Sequence, residues 1–323
     1  MKVLITGADG FIGRAVALHM FRQRHHVIAV VRKPRSEFTS LVARNKWTLV
    51  SVGAMGLETD WRVALDGVEV VVHLAARVHV MRDRSAGGLA EFRLVNVQGT
   101  ERLAQMAAVA GVRRFIFMSS IKVNGEETPL GQPFTEANPP TPQDAYALSK
   151  WEAEQALMKV SRETGLGVVI LRPPLVYGPE VKANCLRLMK WLARGVPLPL
   201  GAVRNQRSLL YLGNLVSAID ACLTHPSAAN QTFMVSDGED LSTPELIRRM
   251  AFALGRPGRL IPVPTAVLMA GATLLGKRGV AARLCGSLQV DITKARKMLG
   301  WTPPVSVDEG LRLTAEHYLL SQR

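Results

Sequence analysis

The sequence has few cysteines, no long apolar run and no secretion signal, and these absences narrow its class. Its 323 residues contain three cysteines, Cys185, Cys222 and Cys285, whose wide separation provides neither a disulfide framework nor metal-ligand spacing. We expect reduced structural thiols and no metal site. No segment approaches the roughly 20 uninterrupted apolar residues that span a bilayer, so no stable membrane insertion is expected. The opening MKVLITG lacks the regions of a signal peptide, and a cytoplasmic location is expected.

The longest apolar segment is TAVLMAGATLLG at residues 265–276, and Lys277 and Arg278 follow it directly. It is too short to cross a bilayer, which leaves two interpretations. An ordinary buried helix is the favoured one. The other is a helix that touches a membrane surface through its apolar side chains and the two cations.

Acidic residues are scarce relative to basic ones. The chain has 26 Asp and Glu against 40 Lys and Arg, which gives a formal net charge of +14. A charge of this size raises binding to nucleic acid as an interpretation, because cations that neutralise phosphates release counterions. However, the basic residues are dispersed and are not clustered with aromatic ones. We therefore expect no nucleic-acid partner.

The first half of the chain alternates apolar, β-branched runs with amphipathic stretches. The runs show no polar alternation, as is typical of strands covered by helices on both faces. The sequence predicts an α/β fold with a Rossmann-type, doubly wound parallel sheet. The predicted strands are residues 2–6, 27–31, 48–52, 68–74, 115–119 and 168–171, and the predicted helices are 11–24 and 91–110.

Beyond Arg172 the alternation loosens, and proline-rich stretches separate several helix-like segments. The length also exceeds that of one small domain. We therefore predict a smaller, mainly helical substrate-binding lobe. The predicted division is a dinucleotide-binding domain at 1–175 with a returning segment near 208–235, and a lobe formed by 176–207 and 236–323.

A glycine-rich turn, TGADGFIG at residues 6–13, joins the first predicted strand to the first helix. Its glycines allow a tight turn and let backbone N–H groups at the helix start approach a pyrophosphate. The spacing is GxxGxxG, whereas the best-known dinucleotide fingerprint is GxGxxG. The turn predicts a dinucleotide site that includes Gly7, Asp9, Gly10, Phe11, Ile12 and Gly13.

The second strand ends without a carboxylate. Proteins that bind NAD usually place an acidic residue there for the ribose 2′-hydroxyl, whereas this chain has Arg32 and Lys33. These cations suit a 2′-phosphate, so NADP(H) is the preferred cofactor. NAD(H) remains an alternative cofactor. If Arg32 and Lys33 simply lay on a solvated loop, they would not contact the cofactor, and NAD would bind through its other contacts.

Two groups of residues predict acid–base chemistry. Tyr146 and Lys150 are four residues apart in a predicted helix, so they share one face. A neighbouring ammonium favours the phenolate, and we expect it to make Tyr146 a usable acid or base. Ser120 ends a buried strand, where a hydroxyl can donate to a carbonyl or alkoxide oxygen of a ligand.

Taken together, these motifs resemble the extended short-chain dehydrogenase/reductase superfamily, in its nucleotide-sugar epimerase/dehydratase branch, over essentially the whole chain. By that resemblance Ser120, Tyr146 and Lys150 form the catalytic set, and Asn96 supports the active-site helix. The resemblance also implies that Leu74, Ala75, Ala76, Asn96 and Pro173 lie along the cofactor. The landmarks that carry it are TGADGFIG, HLAA at 73–76, Asn96, the serine pair at 119–120, YALSK at 146–150 and LRPP at 171–174.

Departures from the family pattern narrow the activity. The dehydratases carry an Asp-Glu pair after the catalytic Ser or Thr, and this chain has Ile121 and Lys122 there. The epimerases usually have the acidic residue at the second strand that is missing here. We therefore expect an NAD(P)H-dependent reductase of a UDP-4-keto-6-deoxy-N-acetylhexosamine, similar to bacterial polysaccharide enzymes often labelled UDP-glucose 4-epimerase. A UDP-hexose 4-epimerase with bound NAD is the alternative.

The expected partner is a UDP-sugar, together with a second copy of the chain. In relatives, helices equivalent to 91–110 and 145–164 form the dimer interface. Asn184 at a helix start and Arg207 resemble residues that hold a nucleotide diphosphate. His79 and Lys122 are candidates for contact with the sugar, although Lys122 would serve equally as a solvent-facing residue and a lone histidine is more often structural.

Overall fold

The computed structural model describes residues 1–45, 47–78 and 88–322. Its centre is a seven-stranded parallel sheet in the order β3-β2-β1-β4-β5-β6-β9. Every residue of β4 and β6 is buried, as expected for strands covered on both faces. The strands are β1 (Lys2–Thr6), β2 (His26–Val31), β3 (Thr48–Ser51), β4 (Val70–His73), β5 (Arg114–Met118), β6 (Gly167–Arg172) and β9 (Gln231–Met234).

Helices cover both faces of this sheet, which confirms the doubly wound α/β fold. On one face, apolar side chains of α1 (Phe11–Arg22), α2 (Ser36–Arg44) and α8 (Leu212–Thr224) pack against the strands. On the other face, α3 (Arg62–Leu65), α5 (Gly99–Val109) and α6 (Ala145–Thr164) do so. The strand order reverses between β1 and β4, which is where open α/β sheets bind ligands.

The helix expected at 91–110 is not continuous. It begins as α4 (Gly88–Phe92), continues as a π-helical segment at Arg93–Gln98 and becomes α5 at Gly99. A π-helical turn inserts extra backbone and re-aims the side chains around it, and such turns are frequent at functional sites. Here the turn contains Asn96, which is buried.

The second half of the chain builds a lobe around its own apolar cluster. A small sheet of three strands, in the order β10-β8-β7, lies within it. The division into two domains at the expected boundaries stays a prediction. The elements of this part are β7 (Leu175–Tyr177), α7 (Ala183–Ala193), β8 (Arg207–Tyr211), β10 (Asp240–Leu241), α9 (Thr243–Ala253), α10 (Thr265–Leu274), α11 (Arg278–Cys285), α12 (Thr293–Leu299) and α13 (Val307–Leu320).

The favoured interpretation of segment 265–276 was wrong. It forms α10, but neither α10 nor α11 has a buried residue. The apolar side chains of α10 are therefore not buried in the core of this chain. Within the described ranges, no helix combines the length and apolar character needed to cross a bilayer.

Candidate active site

The glycine-rich turn is packed so closely that it needs its glycines. Gly7 has a φ of +64°, and a Cβ on Gly13 would lie 2.1 Å from the carbonyl oxygen of Gly7. Helix α1 begins at Phe11, within the glycine-rich segment, and its N-cap residue Gly10 supplies no side-chain hydrogen bond. The first N–H groups of α1 are thus left for another acceptor. This cradle fits the pyrophosphate of a dinucleotide, whose negative charge the helix N-terminus favours.

A buried histidine connects the turn to the end of β4. Thr6 Oγ1 accepts hydrogen bonds from the backbone N–H groups of Leu74 and Ala75, both at 3.1 Å. Its own proton is therefore donated to Nδ1 of His73, 2.7 Å away, and His73 Nε2 then donates to Thr100 Oγ1 at 2.9 Å. Burial, with a smaller contribution from Lys150, lowers the pKa of His73 to about 3. This neutral histidine orients Thr6, which in turn holds the backbone of Leu74 and Ala75, two residues expected along the cofactor.

Asn96 joins the loop after β4 to helix α6. Its Oδ1 accepts from the backbone N–H of Arg77 at 2.8 Å, and its Nδ2 donates to the carbonyl of Arg77 at 3.0 Å. Nδ2 also donates to Ser149 Oγ at 2.9 Å, and Ser149 in turn donates to the carbonyl of Tyr146 at 2.8 Å. Ser149, which the sequence analysis did not single out, therefore connects Asn96 to helix α6. The supporting role of Asn96 stays a prediction.

Lys150 is buried one helical turn after Tyr146. Its Nζ donates to the carbonyl of Met118, the last residue of β5, at 2.8 Å, and lies 4.4 Å from the ring centroid of Phe117. Burial lowers the pKa of Lys150 to about 7, although Glu154 opposes the shift. The helix therefore holds its amine at the carboxyl end of the sheet.

The expected effect on Tyr146 is wrong in direction. A neighbouring ammonium was expected to favour the phenolate. Instead, burial raises the pKa of Tyr146 to about 12, and the carboxylate of Asp144 adds to the shift. In the protein alone, Tyr146 is therefore a protonated phenol near neutral pH and a weaker acid than an ordinary tyrosine.

The serine pair divides into two different roles. Ser120 caps a short 3₁₀ helix at Ile121–Val123, and its Oγ accepts from the backbone N–H of Lys122 at 3.2 Å. Ser119 instead donates to the carboxylate of Glu154, which is buried. Ser120 thus keeps its O–H available at the end of β5, while Ser119 ties this strand end to helix α6.

Lys122, a predicted substrate residue, forms ion pairs with two carboxylates. Lys122 Nζ lies 2.7 Å from both Glu126 Oε1 and Asp144 Oδ2. Burial disfavours the charged amine, but the two carboxylates outweigh it and raise the pKa of Lys122. Because Asp144 is the N-cap of α6, Lys122 braces the start of the helix that contains Tyr146 and Lys150. Its contact with a sugar stays a prediction.

The other substrate candidates lie in the lobe or outside the described residues. Asn184 is exposed in the first turn of α7. Arg207 is on β8, and its Nη1 donates to the carbonyls of Arg283 and Gly286, both at 2.9 Å. His79 lies outside the described residues. The diphosphate contacts of Asn184 and Arg207 stay predictions.

Cations at the end of β2 lie next to the glycine-rich turn. Arg32 and Lys33 are exposed, and Arg35, which the sequence analysis missed, has its Nε 3.9 Å from Asp9 Oδ2. The signal for Arg35 was its position three residues beyond Arg32. At the end of β6, Pro173 is buried and its carbonyl accepts from the N–H of Ile121 at 3.0 Å. Apart from Asn96, the residues predicted to lie along the cofactor thus follow the carboxyl ends of β1, β2, β4 and β6.

Comparison with known proteins agrees with this architecture. Residues 3–236 match the profile of the NAD dependent epimerase/dehydratase family. A Vibrio cholerae protein named UDP-glucose 4-epimerase is 43% identical over 319 residues, which cover 98% of this chain and 95% of that protein. The crystal structure of the Thermotoga maritima UDP-glucose 4-epimerase with UDP-glucose has a TM-score of 0.77 at 26% identity, with full coverage of both chains.

A third comparison supports the fold alone. The Bacillus cereus UDP-glucuronic acid 4-epimerase, solved in complex with NAD, has a TM-score of 0.78 at 21% identity and full coverage of both chains. Both solved structures span the lobe as well as the parallel sheet.

Proposed function

Because this chain belongs to the NAD-dependent epimerase/dehydratase family, we propose that it is a nucleotide-sugar 4-epimerase that acts on a UDP-hexose. The supporting geometry is the meeting of α6 with the end of β5, where Lys150 Nζ is held 2.8 Å from the carbonyl of Met118, one turn from Tyr146. The 43% identity to a UDP-glucose 4-epimerase favours epimerisation over the reduction expected from the sequence.

The chemistry assigned to the chain's own residues is proton transfer at one sugar oxygen. Tyr146 removes the proton of the C4 hydroxyl as C4 loses its hydride, and returns it when the hydride comes back to the opposite face. Ser120 donates a hydrogen bond to the same oxygen, where negative charge develops. An oxidised nicotinamide bound at this edge would accept and return the hydride, and its positive charge would lower the pKa of the phenol.

A reductase is the second candidate, and one observation favours it. Arg32, Lys33 and Arg35 form a cationic group beside the turn, without a carboxylate at the end of β2, and this group suits NADPH. In this reaction Tyr146 would protonate the oxygen of a UDP-4-keto-6-deoxy-N-acetylhexosamine as hydride reaches C4.

The deciding experiment incubates the purified protein with UDP-glucose, and separately with UDP-N-acetylglucosamine, without added cofactor. Anion-exchange chromatography then measures the UDP-galactose or UDP-N-acetylgalactosamine formed. We expect interconversion, and a fall of about 10²–10⁴-fold in Tyr146→Phe, because this variant lacks the acid–base group. Tyr318→Phe, a change at a buried tyrosine of α13, serves as the matched control and should retain its rate.

A second arm measures NADPH oxidation with UDP-4-keto-6-deoxy-N-acetylglucosamine as substrate. Stoichiometric oxidation that Tyr146→Phe lacks, together with no interconversion in the first arm, would replace the epimerase with the reductase. Activity in neither arm would refute both candidates.

The proposal includes three expectations for the natural setting. The epimerase would hold NAD(H), whereas the reductase would use NADP(H) in preference to NAD(H). In both cases the chain works as a homodimer through the helices of 91–110 and 145–164, and it acts in the cytoplasm. Size-exclusion chromatography with light scattering measures the dimer directly.

A further inference from the structure

Helices α10 and α11 form a hairpin whose first helix is apolar and only partly covered by the rest of the chain. The two helices contact each other, yet no residue from 261 to 287 is buried. A helix that is apolar on all sides normally lies inside a protein core or in a membrane. The exposed large side chains of this hairpin surface are Val267, Leu274, Leu275, Val280 and Leu284.

The hairpin is nevertheless fixed to the lobe at both ends. Before α10, the backbone of Leu198 pairs with Arg259 and Ile261 through hydrogen bonds of 3.0 and 2.9 Å. After α11, the side chain of Asn205 donates to the carbonyls of Leu284 and Gly286, at 3.2 and 2.9 Å. The hairpin is therefore held to the lobe at both ends. The exposed residues lie between these two points of attachment.

The charge within the hairpin segment itself has one sign. From residue 256 to residue 290 the chain has no aspartate or glutamate, and the cations in this stretch are Arg256, Arg259, Lys277, Arg278 and Arg283. Apolar side chains accompanied by Lys and Arg are typical of segments that lie in the surface of an anionic bilayer.

We propose that this hairpin surface docks the protein onto an anionic lipid bilayer. The charge decides between the possible occupants: a second copy would bring the same cations and repel the first, whereas anionic headgroups attract them. The ten residues of α10 give a length of about 15 Å, half the thickness of a hydrocarbon core of about 30 Å. The hairpin therefore lies in the surface of the bilayer and does not cross it.

The test is flotation of the whole protein with lipid vesicles. One preparation contains phosphatidylcholine and phosphatidylglycerol, and the other contains phosphatidylcholine alone. We expect partition into the anionic vesicles only, weakening as salt is raised, because salt screens the attraction.

Two variants change the hairpin and two matched controls change the dinucleotide-binding half. Leu274→Asp, at a position 89% exposed, is paired with Val63→Asp on α3, at a position 82% exposed. The double variant Lys277→Glu/Arg278→Glu is paired with Arg22→Glu/Arg44→Glu, which reverses two other exposed cations. Each hairpin variant should lower the partition constant at least about tenfold, and each control should change it less than about twofold.

Circular dichroism and the epimerisation assay confirm that each variant is folded. The proposal is overturned if the wild-type protein does not float, if it partitions equally into both vesicles, or if the controls lose as much binding as the hairpin variants. It is also overturned if sedimentation velocity shows a wild-type dimer that only the hairpin variants dissociate, because the surface would then be covered by a second copy.

Discussion

Arg172 on β6 and Glu154 on α6 form a buried ion pair one helical turn beyond Lys150. Nε of Arg172 donates to Glu154 Oε1 at 3.0 Å, and Nη2 contacts Oε2. The same guanidinium donates through Nη1 to Asn124 Oδ1 at 3.0 Å, and Ser119 donates to the carboxylate. This group joins α6 to the ends of β5 and β6. It therefore positions both the strand end next to Ser120 and the helix that contains Lys150.

The ion pair gives a prediction about stability. Arg172→Met should lower the free energy of unfolding by about 3–5 kcal/mol, because it leaves the Glu154 carboxylate buried without its partner. The double variant Glu154→Gln/Arg172→Met should lose less than the single one, since no uncompensated charge remains. Urea unfolding measures both, with Arg312→Met, in an exposed pair with Glu309, as a control of small effect. Additive losses in the double variant would show that the two side chains do not act as a pair.

Alanine should destabilise the protein at Gly13 of the glycine-rich turn but not at Gly271 of helix α10. In Gly13→Ala the new Cβ would lie 2.1 Å from the Gly7 carbonyl, so the turn must shift, at a cost of about 1–3 kcal/mol. Binding of NAD or NADP, measured by calorimetry, should weaken with it. Gly271→Ala is the matched helical control, because its Cβ meets nothing within 4 Å. Unchanged stability and affinity in Gly13→Ala would argue against the close packing described here.

The cations at the end of β2 predict the choice of cofactor. Arg32→Ala/Lys33→Ala should weaken NADPH binding about tenfold or more and leave NADH binding nearly unchanged, because only NADPH carries a 2′-phosphate. Fluorescence titration of the two reduced cofactors provides the comparison, and Arg22→Ala/Arg44→Ala controls for the loss of general positive charge. Equal weakening for both cofactors would refute the assignment.

His73 predicts a loss of stability in acid. Its pKa is lowered from 6.5 to about 3, so between these values the unfolded chain binds a proton that the folded chain does not. Stability is therefore full above pH 6.5 and falls as the pH decreases below it. From neutral pH to about pH 5 this histidine alone should cost about 2 kcal/mol.

The measurement is urea unfolding at both pH values in the wild-type protein and in His73→Gln. The variant has a lower stability at neutral pH but should lose about 2 kcal/mol less on acidification, because other titrating groups contribute equally to both proteins. Equal losses would mean that His73 is not held neutral by burial.

Several features were determined by local sequence. The alternation of apolar runs with amphipathic stretches indicated the parallel sheet, because strands buried on both faces are apolar along their whole length. Helix α6 spans 145–164 as expected. The glycine-rich turn and the four-residue spacing of Tyr146 and Lys150 are also local, since backbone geometry over a few residues decides them.

Other features were decided only by the tertiary structure, because they depend on what packs against a segment from far along the chain. Two contacts join separate elements: the ion pair of Glu154 with Arg172 and the contact of Arg35 with Asp9. The π-helical turn at Asn96 was likewise not visible in the local sequence. The pKa of Tyr146 moved opposite to the expectation because the tertiary fold buries its phenol near Asp144. Similarly, the apolar composition of α10 indicated a helix, but only the arrangement of the lobe determined that none of its residues is buried.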